Sequence, residues 1–199
     1  MGARTRLRLA GAISAMMIAF LAGCSGSGDP TEPGPELPAG TELGDWGSTL
    51  KIDDSIQLVL GDQAGGTSGS VVRLQVVEVR KGDPADLDTF TGVPAQSTPW
   101  YVSVAEHNRG PADVNVNDEK GWFLRLGSDL EVPPTVVNGQ IKACPTDTAE
   151  ATLPVAAERL DCLLFLVPNA DQPASVDYLR NNGIETVSWR IPSNIGTGS

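Results

Sequence analysis

The sequence predicts an all-β fold, an antiparallel β-sandwich. Three observations lead there. Short runs rich in β-branched and aromatic residues recur along the chain, turn signals separate them, and no long stretch combines a helical period with caps. The runs are "SIQLVLG" (Ser55–Gly61), "VVRLQVVEVRKG" (Val71–Gly82), "WYVSVAEH" (Trp100–His107), "DVNVND" (Asp113–Asp118), "GWFLRLG" (Gly121–Gly127), "CLLFLVP" (Cys162–Pro168), "SVDYLR" (Ser175–Arg180) and "TVSWRIP" (Thr186–Pro192). Between them stand "GDQAGGTSGS", "KGDPAD", "HNRGPAD", "DEKG", "VPNADQP" and "RNNG", the last carrying Asn182–Gly183, a strong hairpin cue. "DTAEATLPVAAERL" holds helix-forming residues, but Pro154 interrupts it.

Within "WYVSVAEH", period 2 puts Trp100, Val102, Val104 and Glu106 on one face and Tyr101, Ser103, Ala105 and His107 on the other; the first set is expected to point inward. "CLLFLVP" is apolar on both faces and reads as a central strand, with Cys162 pinning it to the segment around Cys144.

The start of the chain reads differently. Arg4, Arg6 and Arg8 precede an apolar run, Leu9 to Leu21, that is too short to span a bilayer and has the length of a signal-peptide core. "LAGC" (Leu21–Cys24) follows and resembles the lipobox of bacterial lipoproteins. That resemblance implies a diacylglyceryl group on the Cys24 sulfur, cleavage just before Cys24, and acylation of the new amino group. Two acyl chains hold a protein stably at a membrane, where one does not. The expected divisions are a signal peptide over residues 1–23, a flexible tether over 24–45, a sandwich over 46–192 and a disordered tail over 193–199. The tether expectation rests on "SGSGDPTEPGPELPAGTEL" (Ser25–Leu43), which has almost nothing to bury.

The chain has three cysteines. With Cys24 lipidated, Cys144 and Cys162 remain, and outside the cytosol they are expected to pair. The whole sequence carries a net charge of −11, and loss of residues 1–23 removes three Arg and no acid, leaving 11 basic against 25 acidic residues. A chain so acidic lacks the basic patch that nucleic-acid binding needs. Nor is it drawn to anionic lipid head groups.

"WYVSVAEHNRGPADVNV" followed by "GWFLRLGSD" resembles the signature of bacterial secreted proteins built on one immunoglobulin-like β-sandwich. That group includes many lipoproteins and a mycobacterial immunogenic secreted protein. Asn108, Arg109 and Gly110 match its Asn-x-Gly turn, and Phe165, Val167 and Pro168 match its late strand, although the glycine expected before that strand is replaced by "PVAAERLDC". The resemblance implies an immunoglobulin-like fold and an extracytoplasmic address; it carries no catalytic residues to transfer.

Chemistry-bearing residues are few. Met1, Met16 and Met17 leave with the signal peptide and His107 is the single histidine, so a soft-metal or haem cofactor is not expected. No G-x-S-x-G elbow accompanies His107, which ends a predicted strand. Asp83, Asp86 and Asp88 cluster in "GDPADLD"; they read as a solvated acidic turn, with a calcium site as the alternative. Trp122 and Trp189 lie in strands and read as core. Trp46 and Trp100 open a domain and a strand, and are the candidate contact residues for a peptide or glycan, against core packing as the ordinary reading.

The expected function is a non-catalytic, lipid-anchored module on the outer face of the bacterial cytoplasmic membrane that binds a cell-surface protein or glycan. The alternative is a carboxylate-based hydrolase or a small-ligand or calcium-binding receptor. The sequence leaves the oligomeric state open.

Overall fold

The computed structural model describes residues 39, 41–60, 69–88, 90–94, 96–115, 121–137, 141–145, 152–180 and 183–195. The chain divides into two units, residues 1–32 and 33–199, and all described residues belong to the second. Cys24, the apolar leader and most of the expected tether lie outside the described residues, as does Asn182 of the hairpin cue.

Among the described residues there are eleven strands and one short 3₁₀ helix. They are β1 (Thr49–Lys51), β2 (Ser55–Leu60), β3 (Ser70–Lys81), η1 (Pro84–Leu87), β4 (Ser97–Asn108), β5 (Val114–Asn115), β6 (Gly121–Leu126), β7 (Glu131–Val132), β8 (Thr152–Leu153), β9 (Glu158–Pro168), β10 (Pro173–Leu179) and β11 (Thr186–Arg190). One sheet runs β2-β3-β4-β9 and the other β1-β11-β10-β6-β7, with β5 and β8 forming a small ribbon. The strands that the sequence predicts all appear. β1, β7 and β8 do not show in the sequence because each is only two or three residues long, too short to carry a period. Every pairing is antiparallel except β1 with β11, which is parallel.

The two main sheets pack face to face as a sandwich. Alternation sets the inward residues: Ile56, Leu58 and Leu60 from β2, Val102 and Val104 from β4, Leu124 and Leu126 from β6, and Val176 and Tyr178 from β10 all join one core. Strand β3 needs one correction to its alternation. Val72, Leu74 and Val76 face inward, a bulge at Val77 and Glu78 slips the register against β4, and Val79 then faces inward in its turn.

Aromatic rings fill the middle of the core. Trp122 meets Tyr178 edge-on at 4.9 Å and Trp189 at 5.4 Å. Their polar tips are satisfied: Trp122 Nε1 donates to Glu106 Oε1 at 2.8 Å and Trp189 Nε1 to the Asp54 carbonyl at 2.9 Å. Glu106 is thus inward, as its parity demands, and Arg159 on the neighbouring strand donates to its other oxygen and pairs with Asp161 at 2.6 Å. A charge placed there is tolerated because it is matched and hydrogen-bonded.

Strand β9 departs from expectation. It is an edge strand, not a central one. Its inner face carries Leu163, Phe165 and Val167 into the main core, while Cys162, Leu164 and Leu166 on its outer face join a second, smaller core with Leu87, Tyr101, Ile141 and Cys144. A layer of non-strand chain covering the outer face explains an edge strand that is apolar on both sides.

The turn after β4 locks one end of the sandwich. Asn108 is wholly buried. Its Oδ1 accepts from Ser70 Oγ at 2.8 Å and from the Gly110 amide at 3.1 Å; its Nδ2 donates to the carbonyls of Ala112 at 2.8 Å and Leu153 at 3.0 Å. Gly110 fits because it has no side chain: a Cβ there would lie 2.1 Å from Ser70 Oγ and 2.3 Å from the Val71 amide nitrogen.

The chain already bonds to the sandwich before Trp46. The Gly44 amide donates to the Gln57 carbonyl at 2.8 Å, so the end of the expected tether lies along the edge of β2. At the other terminus Ile195 packs against the core.

Asn108→Ala strips four hydrogen bonds from buried partners. It is expected to lower stability by roughly 3 kcal/mol. Urea unfolding followed by tryptophan fluorescence should show a lower midpoint at unchanged slope.

Candidate functional site

The outer layer over β4 and β9 is the most elaborated feature outside the main core. Among the described residues it is built from the top of β3, the η1 segment and residues 133–137 and 141–145. Tyr101, on the outer face of β4, is its centre and is almost completely buried. Gly82 lets the ring lie against the backbone, since a Cβ there would sit 2.3 Å from the Tyr101 ring. The Arg80 guanidinium stands 4.6 Å from the centre of the same ring and donates to the Ala143 carbonyl. The Tyr101 hydroxyl donates to Asp86 Oδ2 at 3.0 Å.

The acidic turn is spoken for by this arrangement. Asp83 caps η1, its Oδ1 accepting from the Ala85 amide at 2.9 Å, while Asp86 Oδ2 accepts from the Asp83 amide at 3.4 Å and from Tyr101. The two carboxylates hold a helix cap and a phenol, and no group of metal-ligating side chains occurs among the described residues.

The layer is stapled by the disulfide between Cys144 and Cys162, with Cα atoms 5.3 Å apart. The Thr135 amide donates to the Leu164 carbonyl at 2.7 Å, fastening the covering chain to the outer edge of β9. Beyond this bond the layer leaves a cavity of about 180 Å³, lined by Phe90, Thr91, Gly92, Val93, Thr135, Val136, Val137 and Leu166. Gly92 adopts a φ of +85°, which turns the chain around its mouth. Leu166 belongs to the small core beneath, and Val136 is 93% exposed. The lining exposes more polar than apolar surface, from backbone groups and two threonine hydroxyls, and carries no acid, base or thiol side chain. Nothing in the local sequence marks this cavity, because its parts come from three separate stretches.

The other candidates fall elsewhere. Trp100 is 2% exposed and sits in the main core, so it presents no surface to a ligand; the parity that puts Val102 inward puts Trp100 there too. Trp46 is half-buried at the opposite end of the molecule, stacked on Tyr178 at 6.5 Å with the Arg180 guanidinium 5.5 Å from its ring. His107 lies in β4 between Arg73 on β3 and Glu158 on β9. A further buried charge escaped the sequence reading. Asp177 has no exposed surface and accepts from Arg125 Nε and Ser175 Oγ, both at 2.7 Å. Burial opposes the charge of Arg125, but Asp177 and Glu131 outweigh it and raise the guanidinium pKa. No helix among the described residues is long and apolar enough to cross a membrane.

No family model matches the chain, and no curated protein matches it. Among solved structures it is similar to MPT63, a secreted protein of Mycobacterium tuberculosis, at 17% identity and a TM-score of 0.48, over 77% of this chain and all of that one. It is also similar to YcdA of Bacillus subtilis, a candidate lipoprotein, at 15% identity and a TM-score of 0.44, over 63% of this chain. The match covers 38% of the YcdA chain.

Burial, and then the hydrogen bond to Asp86, push the Tyr101 pKa up to about 12. An unfolded tyrosine titrates near 10. The neutral phenol therefore favours the fold fully below about pH 10, and that contribution disappears as pH rises towards 12. Tyr101→Phe is expected to flatten the stability profile between those limits, measured as urea midpoint against pH. Reduction of the disulfide should cost about 3 kcal/mol, the value for a loop of this length. The loosened layer should then exchange its amides faster than the main core does.

Proposed function

We propose that the chain is a lipid-anchored, extracytoplasmic β-sandwich that binds another protein of the cell envelope without catalysis. The observation that carries this reading is the buried Cys144–Cys162 disulfide bracing a surface layer, a bond suited to an oxidising compartment. It agrees with the apolar leader ending at "LAGC" and with Cys24 as the lipidated residue.

Contact falls to the cavity that the disulfide layer frames. At about 180 Å³ it is smaller than the roughly 300–1,000 Å³ of pockets that enclose small molecules. Its size suits one side chain from a partner, and its exposed backbone groups and threonine hydroxyls suit one that can hydrogen-bond. Asp83 and Asp86 of the acidic turn are held by a cap and by Tyr101, which weighs against their use in hydrolysis or in calcium binding.

Cys24→Ala is expected to release the protein from membranes and abolish incorporation of labelled fatty acid. A variant that stays in the membrane fraction and carries label overturns the anchor. For the contact, a photo-crosslinking residue at Val136 should give adducts on intact cells, and one at the exposed Ile184 should give none. Equal labelling from both positions would remove the cavity from the reading.

A further inference from the structure

We infer that a partner protein docks beside the cavity as an added β-strand, an uncharged extended segment whose backbone pairs with that of Val136. The inference rests on the protein-binding reading above and names how the partner is held. Residues 133–137, which help to wall the cavity, cross from one sheet to the other. Val132 pairs with Leu124 in β6, and three residues later the Thr135 amide donates to the Leu164 carbonyl of β9 at 2.7 Å. Packed sheets stand about 10 Å apart, which three residues reach only when extended. Two prolines impose the same shape. Val132 and Pro133 each precede a proline, which keeps them out of the helical region, and the φ of Pro133 and Pro134 is fixed by their rings.

An extended chain turns successive backbone groups to opposite sides. The Thr135 amide faces β9, so the amide and carbonyl of Val136 face away from it. Val136 is 93% exposed, an extent that leaves its backbone as well as its side chain open to water. Pro134 lies on the same side and offers a carbonyl but no N–H. The edge is therefore short. A residue placed opposite Val136 in antiparallel register exchanges two bonds with it, and the prolines stop the ladder from running further back.

Polarity and charge choose the occupant. Val136 and Thr135 belong to the cavity lining, which exposes more polar than apolar surface and carries no charged side chain. Polar groups covered by a partner must be bonded by it. A lipid chain would leave them unpaired, and a charged side chain would find no counter-charge in the lining. A peptide strand supplies backbone donors and acceptors in alternation, and a threonine or asparagine on it can bond the lining from the neighbouring position. An acidic segment is also repelled by a chain with 25 acidic residues.

The test uses the full chain in detergent and blocked heptapeptides of alternating threonine and serine, with threonine, asparagine or aspartate at the centre. The first two should slow hydrogen exchange of the Val136 amide and bind at least tenfold tighter than the aspartate peptide. N-methylation of the central residue removes one shared bond and should weaken binding about tenfold. Val136→Pro removes the outward amide and should weaken it as much, whereas Val136→Ala keeps the amide and should change it less than twofold, both at unchanged melting temperature. Equal losses from the two substitutions would put the contact on the side chain and overturn the inference, as would equal binding of the N-methylated or aspartate peptides. If a photo-crosslinker at Val136 gives adducts on cells and none of the peptides binds, strand pairing is overturned while the protein-binding reading stands. If the crosslinker gives no adducts, that reading falls and the inference falls with it.

Discussion

One buried amide, Asn108, holds one end of the sandwich together. An asparagine side chain has two donor hydrogens and two acceptor positions, and all four are used here, on Ser70, Gly110, Ala112 and Leu153. The backbone of the same residue bonds Ala156 and Ala157, and the next amide bonds Val71. A single position thus ties the start of β3, the turn after β4, the approach to β5 and the entry to β9. Long-range strand pairs cost chain entropy before they return contacts. A clip that fixes four separated segments at once reduces the number of wrong closures available, and Gly110 is the condition for it, since any side chain there would displace Ser70.

The second constraint is the edge position of β9. An edge strand with apolar residues on both faces needs a cover on each. The main core supplies one. The other is made from chain with no regular structure, which has few internal bonds to hold it and is pinned instead by a disulfide, an amide on Leu164, and a stack of Arg80 over Tyr101. Such a cover has freedom to leave a cavity that a packed strand would not, and the cavity appears where the pins run out, between Leu166 and Val136.

The fold was largely legible in the sequence because long strands write their period into it. β2, β3, β4, β6 and β10 alternate, whereas the bulge in β3 went unread because one extra residue leaves the run rich in valine on either side of it. The Asn-x-Gly match at Asn108 pointed to the right turn, but a local motif says nothing of burial, so its reach to Leu153 was hidden. β9 was misplaced for a physical reason: a residue pattern reports that both faces are covered and does not say by what. Trp100 is the opposite case, where parity already placed it inward and its position after Pro99 suggested exposure. The cavity, the Glu106–Arg159 pair and the buried Asp177 depend on contacts between distant strands, and no local spacing encodes them.

Charge links the fold to the way the protein meets its neighbours. A chain with 25 acidic residues repels its own copies and other acidic surfaces at a distance. At physiological ionic strength that repulsion fades over about 8 Å, so it sets how often two molecules meet and has little hold on a contact once made. Favourable contact must then come from patches that are locally neutral or internally matched. The cavity lining carries no charge. The proposed membrane anchor would change the arithmetic further. Confinement near a membrane raises the effective concentration of neighbours without adding a contact. Under the proposed anchor modest patches would suffice, and a large apolar interface would not be required.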